Sequence, residues 1–144
     1  EVAAYPETHP QAKNVQTDLT HFANKVKAGA DAAITQYFYN ADAYFRFKDE
    51  AENLGVNIPI TPGIMPITNH TQLVRFSNMC GAEIPKWILE RLKLYENDLD
   101  SLSAFGTEVV SNLCQTLKDQ GVDSFHFYSM NRTQPSLEIA KNLV

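Results

Sequence analysis

The sequence has few cysteines and no concentration of positive charge. Its 144 residues include 2 cysteines, Cys80 and Cys114, which form neither a CxxC pair nor a Cys/His cluster with the spacing of metal ligands. We therefore expect no bound metal and a reducing, cytoplasmic location. The formal net charge is -5 and no cluster of Lys and Arg stands out, which disfavours binding to nucleic acid.

Long apolar runs and the standard nucleotide-binding loops are also missing. No stretch approaches the roughly 20 apolar residues that a membrane-spanning helix needs, so we expect no membrane association. There is no GxGxxG or GxxxxGK[ST] motif. The histidines show neither the spacing of metal ligands nor a recognisable triad with a carboxylate. These absences disfavour metal and covalent catalysis.

Short apolar segments alternate with helical patterns along a chain that reads as one domain, residues 1–144. This alternation predicts a parallel sheet with helical crossovers. The predicted strands are Val2–Tyr5, Ala33–Phe38, Ile58–Thr61 running on through Pro66, and Ser124–Tyr128. The predicted helices are Gln11–Ala28, Ala41–Leu54, Thr71–Met79, Pro85–Tyr95, Leu102–Gln120 and Pro135–Leu143.

Two architectures fit four such strand–helix units. One is a small open doubly wound sheet, and the other is half of an eight-stranded (β/α)8 TIM-type barrel, whose usual length is about 250 residues. In both, ligands bind at the carboxyl ends of the strands. Polar and aromatic residues concentrate at those ends in this sequence, as an active-site face requires.

Several of these residues have both a functional and a structural interpretation. Gln36 follows a buried strand and offers amide donors and an acceptor for a ring edge, but the sequence alone favours a bond to a neighbouring loop. Arg132 suits a carboxylate or phosphate, or is simply a solvated charge. Phe76 is either core or a stacking platform. His126 alternates with Phe125 and Phe127 and is interpreted as structural.

The first helix carries three polar residues at helical spacing. Asp18, His21 and Lys25 share one helix face, which could bind ribose hydroxyls and phosphates or be a solvated face with weak charge pairing. Tyr5, His9 and Tyr128 could stack on a flavin or hydrogen-bond to it. The alternative for the two tyrosines is packing at a barrel rim.

Four blocks of the sequence together resemble the methylenetetrahydrofolate reductases, in the order and with the approximate spacing of that family. The resemblance covers essentially the whole chain but only about half of a family catalytic barrel. The blocks are Val2-Ala3-Ala4-Tyr5-Pro6-Glu7-Thr8-His9-Pro10, Ala33-Ile34-Thr35-Gln36-Tyr37-Phe38, Pro62-Gly63-Ile64-Met65-Pro66-Ile67 and Phe125-His126-Phe127-Tyr128-Ser129-Met130-Asn131-Arg132.

The resemblance implies the last four units of a (β/α)8 TIM-type barrel that binds FAD without a Rossmann motif. It implies that NAD(P)H gives a hydride to the flavin, which reduces 5,10-methylenetetrahydrofolate to 5-methyltetrahydrofolate by a ping-pong route. The implied FAD contacts are Tyr5, His9, Ala12, Asp18, His21, Asn24 and Lys25. The implied contacts to folate or nicotinamide are Gln36, Gln72, Phe76 and Arg132, with Tyr128 close by.

The catalytic acid of the family is a glutamate near the end of the first barrel strand, and it precedes this chain. Glu7 belongs to the fifth strand's block and is not assigned that role, so we expect no catalytic residue here. Half a barrel leaves two unpaired edges. We therefore expect a partner, either the N-terminal half or a second copy in a homo-oligomer.

Two other classes of function stay open. The chain could be a non-catalytic barrel fragment that serves for nucleotide binding or assembly. It could also be an unrelated small α/β binding domain, which would make the four block matches accidental.

Overall fold

Every pair of neighbouring strands in the structure is parallel. The computed structural model describes residues 1–144. The strands are β1 (Val2–Ala4), β2 (Ala33–Thr35), β3 (Ile60–Thr61), β4 (Gly63–Ile64) and β5 (His126–Phe127). The helices are α1 (Val15–Lys27), α2 (Ala41–Asn53), α3 (His70–Cys80), α4 (Lys86–Leu94), α5 (Leu99–Asp119) and α6 (Thr133–Asn142).

The strands lie side by side in the order in which they occur in the sequence. One sheet has the order β1-β2-β3, and a second pairs β4 with β5. β3 and β4 are two parts of one extended segment separated by Pro62, so this segment bonds β2 with its first part and β5 with its second. The order has no reversal of the kind that marks the switch point of a doubly wound sheet.

Three residues join the two sheets where the extended segment changes partner. The backbone N–H of Gly63 donates to the side-chain oxygen of Thr35 over 2.9 Å, and the Tyr128 hydroxyl donates to the Thr35 carbonyl over 2.8 Å. A Cβ at Gly63 would lie 2.2 Å from that carbonyl oxygen and 2.6 Å from the Tyr128 ring. The close approach therefore requires glycine.

Side-chain caps fix where several helices begin. The side chains of Asn14, Asn40, Asn69 and Asp98 each accept a hydrogen bond from a backbone N–H in the first turn of their helix, as N-caps do. Asn14 makes α1 begin at Val15, four residues after the predicted start. Asp98 makes α5 begin at Leu99, three residues before the predicted start of that helix.

The observed β1, β2 and β5 are shorter than the predicted strands. Proline accounts for three other differences. Pro62 divides the predicted third strand, because its neighbours pair with different strands. Pro85 precedes α4 as its N-cap and does not lie in the first turn. Pro135 lies inside the first turn of α6, where its missing N–H has no intrahelical partner to lose.

The helices pack in a row along the strands. Contacts run from α1 to α2, from α2 to α5 and from α5 to α6, with α3 and α4 inserted before α5. One cluster of 25 buried residues forms the core. Within it the Tyr44 hydroxyl donates to the Ile60 carbonyl over 2.7 Å, which connects α2 to β3. Burial raises the pKa of Tyr44 to about 12.

No helix has both the length and the apolar character needed to cross a membrane.

Replacing Thr35 by valine should destabilise the fold. Valine keeps the shape of threonine but leaves the buried N–H of Gly63 without an acceptor, which costs about 1–3 kcal/mol. Urea denaturation should show this loss for Thr35→Val. Thr35→Ser keeps the hydroxyl and should retain more of the stability than Thr35→Val; equal losses in the two variants would show that the methyl group, and not the hydrogen bond, matters at this position.

Candidate functional site

A groove of about 690 Å³ runs from the end of β1 along α1. We call it the Lys25 groove. It receives side chains from β1, from the loop of residues 5–14 and from one face of α1, because residues three and four apart lie together on a helix. Six of the seven residues predicted to contact FAD line it: Tyr5, His9, Ala12, Asp18, His21 and Lys25.

Hydrogen bonds fix the wall of the Lys25 groove. The backbone N–H of His9 donates to the Asp18 carboxylate over 2.9 Å, and the N–H of Gln11 donates to Nδ1 of His9 over 3.1 Å. The Tyr5 and His9 rings meet edge to face with centroids 4.5 Å apart. The interpretation of Asp18 as a merely solvated charge is therefore wrong, because its carboxylate anchors the loop.

Lys25 lines the groove beside β1. Its Nζ donates to the Ala3 carbonyl over 2.7 Å. Val2 and Ala4 make the backbone hydrogen bonds that β1 forms on the side of β2. The carbonyl of Ala3, which lies between them, therefore points to the opposite edge of β1. Lys25 thus caps the uncovered edge of β1. Asn24, the seventh predicted FAD contact, is exposed and does not line the groove.

A second cavity lies beyond β4 and β5, between α3 and the start of α6, with a volume of about 160 Å³. We call it the Arg132 pocket. Four of the five residues predicted to contact folate or nicotinamide line it: Gln72, Phe76, Tyr128 and Arg132. Residues that the sequence analysis did not assign to a ligand also line it, among them Met65, Pro66, Asn69 and Pro135. For Met65 and Pro66 the block of residues 62–67 was the available signal.

The turn that presents Arg132 has an unusual backbone. Met130 and Asn131 both have positive φ, 50° and 60°, in the left-handed region that residues other than glycine seldom adopt. The Arg132 N–H donates to the Ser129 carbonyl over 2.8 Å and closes the turn. Arg132 is exposed and stands at the N-cap of α6 without capping it, so its guanidinium keeps its donors free.

Gln36 lies between the two cavities. It lines a small cleft with Tyr5, Glu7, Tyr37 and Cys80, so Tyr5 borders both this cleft and the Lys25 groove. The Gln36 side-chain oxygen accepts the N–H of Tyr37 over 3.1 Å, the local bond expected under its structural interpretation. Its amide NH₂ makes no hydrogen bond in the structure and stays available as a donor.

Burial raises the pKa of three side chains that line the Arg132 pocket or the cleft at Gln36. It raises the pKa of Tyr128 and of Tyr37, whose hydroxyl lies 2.9 Å from the Ser77 hydroxyl. It also raises the pKa of Glu7, whose carboxylate accepts the backbone N–H of Glu83 over 2.9 Å. His126 is exposed and meets the Tyr128 ring edge to face, with centroids 4.8 Å apart.

Comparison with known proteins matches residues 1–144 to the family model described as methylenetetrahydrofolate reductase. A 5,10-methylenetetrahydrofolate reductase of Buchnera aphidicola subsp. Schizaphis graminum is 45% identical over 132 residues, covering 92% of this chain and 45% of the relative. The Escherichia coli (strain K12) protein of that name is 38% identical over 142 residues, covering 99% of this chain and 48% of the relative. The chain thus spans about half the length of these relatives.

A solved structure shares the fold. It is an uncharacterized protein from Clostridium thermocellum that binds two copies of 5-methyl-5,6,7,8-tetrahydrofolic acid. The TM-score is 0.61 at 21% sequence identity, over 97% of this chain and 50% of that one. The predicted resemblance is confirmed by the match of the whole chain to the family model, and the chain belongs to the methylenetetrahydrofolate reductase family.

Proposed function

We propose that this chain forms the last four strand–helix units of a (β/α)8 TIM-type barrel. Residues 1–144 then form a single domain that is the C-terminal half of that barrel. One support is the order of the strands, which follows the sequence. The other is the pairing of the β3–β4 segment, whose first part pairs with β2 and whose second part pairs with β5, so that its two neighbours are offset along it. Strands that tilt around a barrel axis are offset in this way.

We propose that the complete protein reduces 5,10-methylenetetrahydrofolate to 5-methyltetrahydrofolate, with NAD(P)H as hydride donor and FAD as cofactor. The observation that carries this proposal is the sorting of the predicted residues. The predicted FAD contacts gather in the Lys25 groove, the predicted substrate contacts gather in the Arg132 pocket, and Tyr5 and Gln36 stand between them.

The Lys25 groove fits the chemistry of FAD. Its diphosphate requires cationic groups, which Lys13 and Lys25 provide along the groove, and its ribose hydroxyls require acceptors such as the Asp18 carboxylate. Tyr5 and His9 stand at the end that faces Gln36 and could hold the flavin end. When bound, FAD supplies a two-electron carrier between the nicotinamide and the folate.

The residues that line the Arg132 pocket match the chemical groups of a folate. The Gln72 and Gln36 amides can each donate to and accept from the edge of a pterin ring. Phe76 and Tyr128 provide apolar ring faces against which a planar ring can stack. The Arg132 guanidinium can bind a carboxylate through two donors. We propose that Gln36 and Phe76 also meet the nicotinamide, so that donor and folate use the same side of the site in turn.

The partner that we propose is the N-terminal half of the same barrel. β1 has an uncovered edge, where the Ala3 carbonyl has only Lys25 as its partner. A strand paired with β1 would bind this carbonyl and release Lys25 to the groove. The expected catalytic acid lies in that half. A second copy of this chain is the other arrangement that would cover the edge, and we propose a homo-oligomer of complete chains in the cytoplasm.

Activity should require the longer protein. We expect the complete protein to carry flavin absorbance and to reduce menadione with NADH or NADPH. If the catalytic acid and part of the flavin-ring pocket lie in the N-terminal half, as we propose, the 144-residue chain alone should show neither methylenetetrahydrofolate reduction nor stoichiometric FAD. If the complete protein lacks both flavin and reductase activity after FAD is added, the alternative of a nucleotide-binding or assembly module is the better description.

Removing the charge of Lys25 should weaken FAD binding in the complete protein. Lys25→Met is expected to raise the Kd for FAD about tenfold, the effect of losing one charge-assisted contact to phosphate. Fluorescence titration of the apoprotein measures this value. Lys27→Met, on the same helix but outside the groove, is the control. Equal effects of the two substitutions would exclude a specific phosphate contact at Lys25.

Removing the guanidinium of Arg132 should affect folate and spare the flavin. Arg132→Ala is expected to raise the KM for methylenetetrahydrofolate about tenfold or more, because a bidentate carboxylate contact is lost. Steady-state kinetics at saturating NAD(P)H measures it. Arg75→Ala removes an exposed arginine of α3 that does not line the pocket and should leave this KM unchanged. An unchanged KM in Arg132→Ala would place the folate carboxylate elsewhere.

A further inference from the structure

Two carboxylates hold the loop that carries Tyr5, His9 and Ala12, through loop residues that lie on either side of Thr8. On one side the Asp18 carboxylate accepts the N–H of His9. On the other side Glu7 reaches across to the segment that follows α3 and accepts the N–H of Glu83. This second bond joins residues 76 positions apart in sequence, so it fixes the loop to a different part of the fold.

The packing around this contact is close. At Gly81, the C-cap of α3, an added Cβ would lie 3.1 Å from the Thr8 carbonyl oxygen and 3.1 Å from the Pro10 ring. Gly81 has a φ of 70°, in the left-handed region that glycine adopts without strain. The loop and the end of α3 therefore meet along several residues, and the Glu7 bond lies within this contact.

The loop is also strained between its two anchors. Thr8 has a φ of 128°, which is exceptional for a β-branched residue, and such a conformation persists only where the surrounding structure imposes it. Thr8 lies directly between Glu7 and His9, the two residues whose hydrogen bonds hold the loop. Without one anchor, the backbone at Thr8 can relax and His9 can move.

We infer that Glu7 is a positioning residue for the cofactor site. Its hydrogen bond to the Glu83 N–H holds the strained loop against the end of α3 and so keeps Tyr5 and His9 in place along the Lys25 groove. Glu7 faces Glu83 and Arg46 and is partly desolvated, which strengthens a hydrogen bond made by a carboxylate. This inference rests on the proposed binding of FAD in the Lys25 groove.

The test uses the complete protein and FAD as the probe. Glu7→Ala removes the acceptor and is expected to raise the Kd for FAD about tenfold, as loss of one charged hydrogen bond does. Glu7→Gln keeps a side-chain carbonyl that can accept the Glu83 N–H, so its Kd should stay within about threefold of the wild type. Glu96→Ala removes an exposed glutamate outside both cavities and should leave the Kd unchanged.

Two results would overturn the inference. One is wild-type affinity for FAD in Glu7→Ala, whether or not the Tm of the apoprotein falls. The other is an equal loss of affinity in Glu7→Ala and Glu7→Gln. If Glu7→Ala does not fold, Glu7→Met, which has similar length and no strong acceptor, takes its place with the same criteria. Failure of the wild-type protein to bind FAD would instead contradict the proposed function.

Discussion

The hydrogen bonds of Thr35 hold together the two sheets on which the rest of the structure depends. Its side chain binds Gly63 on β4 and its carbonyl binds Tyr128 beyond β5. Without them, the change of strand partner at Pro62 would leave a buried N–H unpaired and a gap between β2 and β5. The absence of a side chain at Gly63 is part of the same constraint, because the Tyr128 ring occupies that space.

The Arg132 pocket and the small cleft at Gln36 depend on this junction for their geometry. Gln36 directly follows Thr35, and Tyr128 lines the Arg132 pocket while its hydroxyl is bound to the Thr35 carbonyl. The structural and functional interpretations of Tyr128 are therefore not alternatives. The hydroxyl is held by the sheet, and the ring is left as a wall of the pocket. A residue fixed in this way loses little conformational entropy when a ligand packs against it.

The sequence allowed the order and type of the elements to be predicted, because periodicity and short apolar runs reflect local burial. It also grouped most of the site, since strand ends and one face of α1 converge in any parallel fold. Contacts between distant segments could not be predicted from the sequence. Nothing in the residues around Glu7 indicates a hydrogen bond to Glu83, and nothing in those around Thr35 indicates one to Gly63. Asn24 is exposed outside the Lys25 groove, so the structure does not group it with the other predicted FAD contacts, and its contact with FAD stays a prediction.

Backbone strain lies in the loops that present the candidate ligand-binding residues. The non-glycine residues with positive φ are Thr8, Met130 and Asn131. Thr8 precedes His9 at the Lys25 groove, and the other two precede Arg132 at its pocket. Each costs free energy that the core must offset, on the order of 1–3 kcal/mol. Such conformations are stable here because hydrogen bonds fix both sides of each loop, through Glu7 and Asp18 in one and through Tyr128 and the Arg132 N–H in the other. These hydrogen bonds therefore fix the backbone of each loop directly beside His9 and Arg132, two of the residues predicted to bind the cofactor and the substrate.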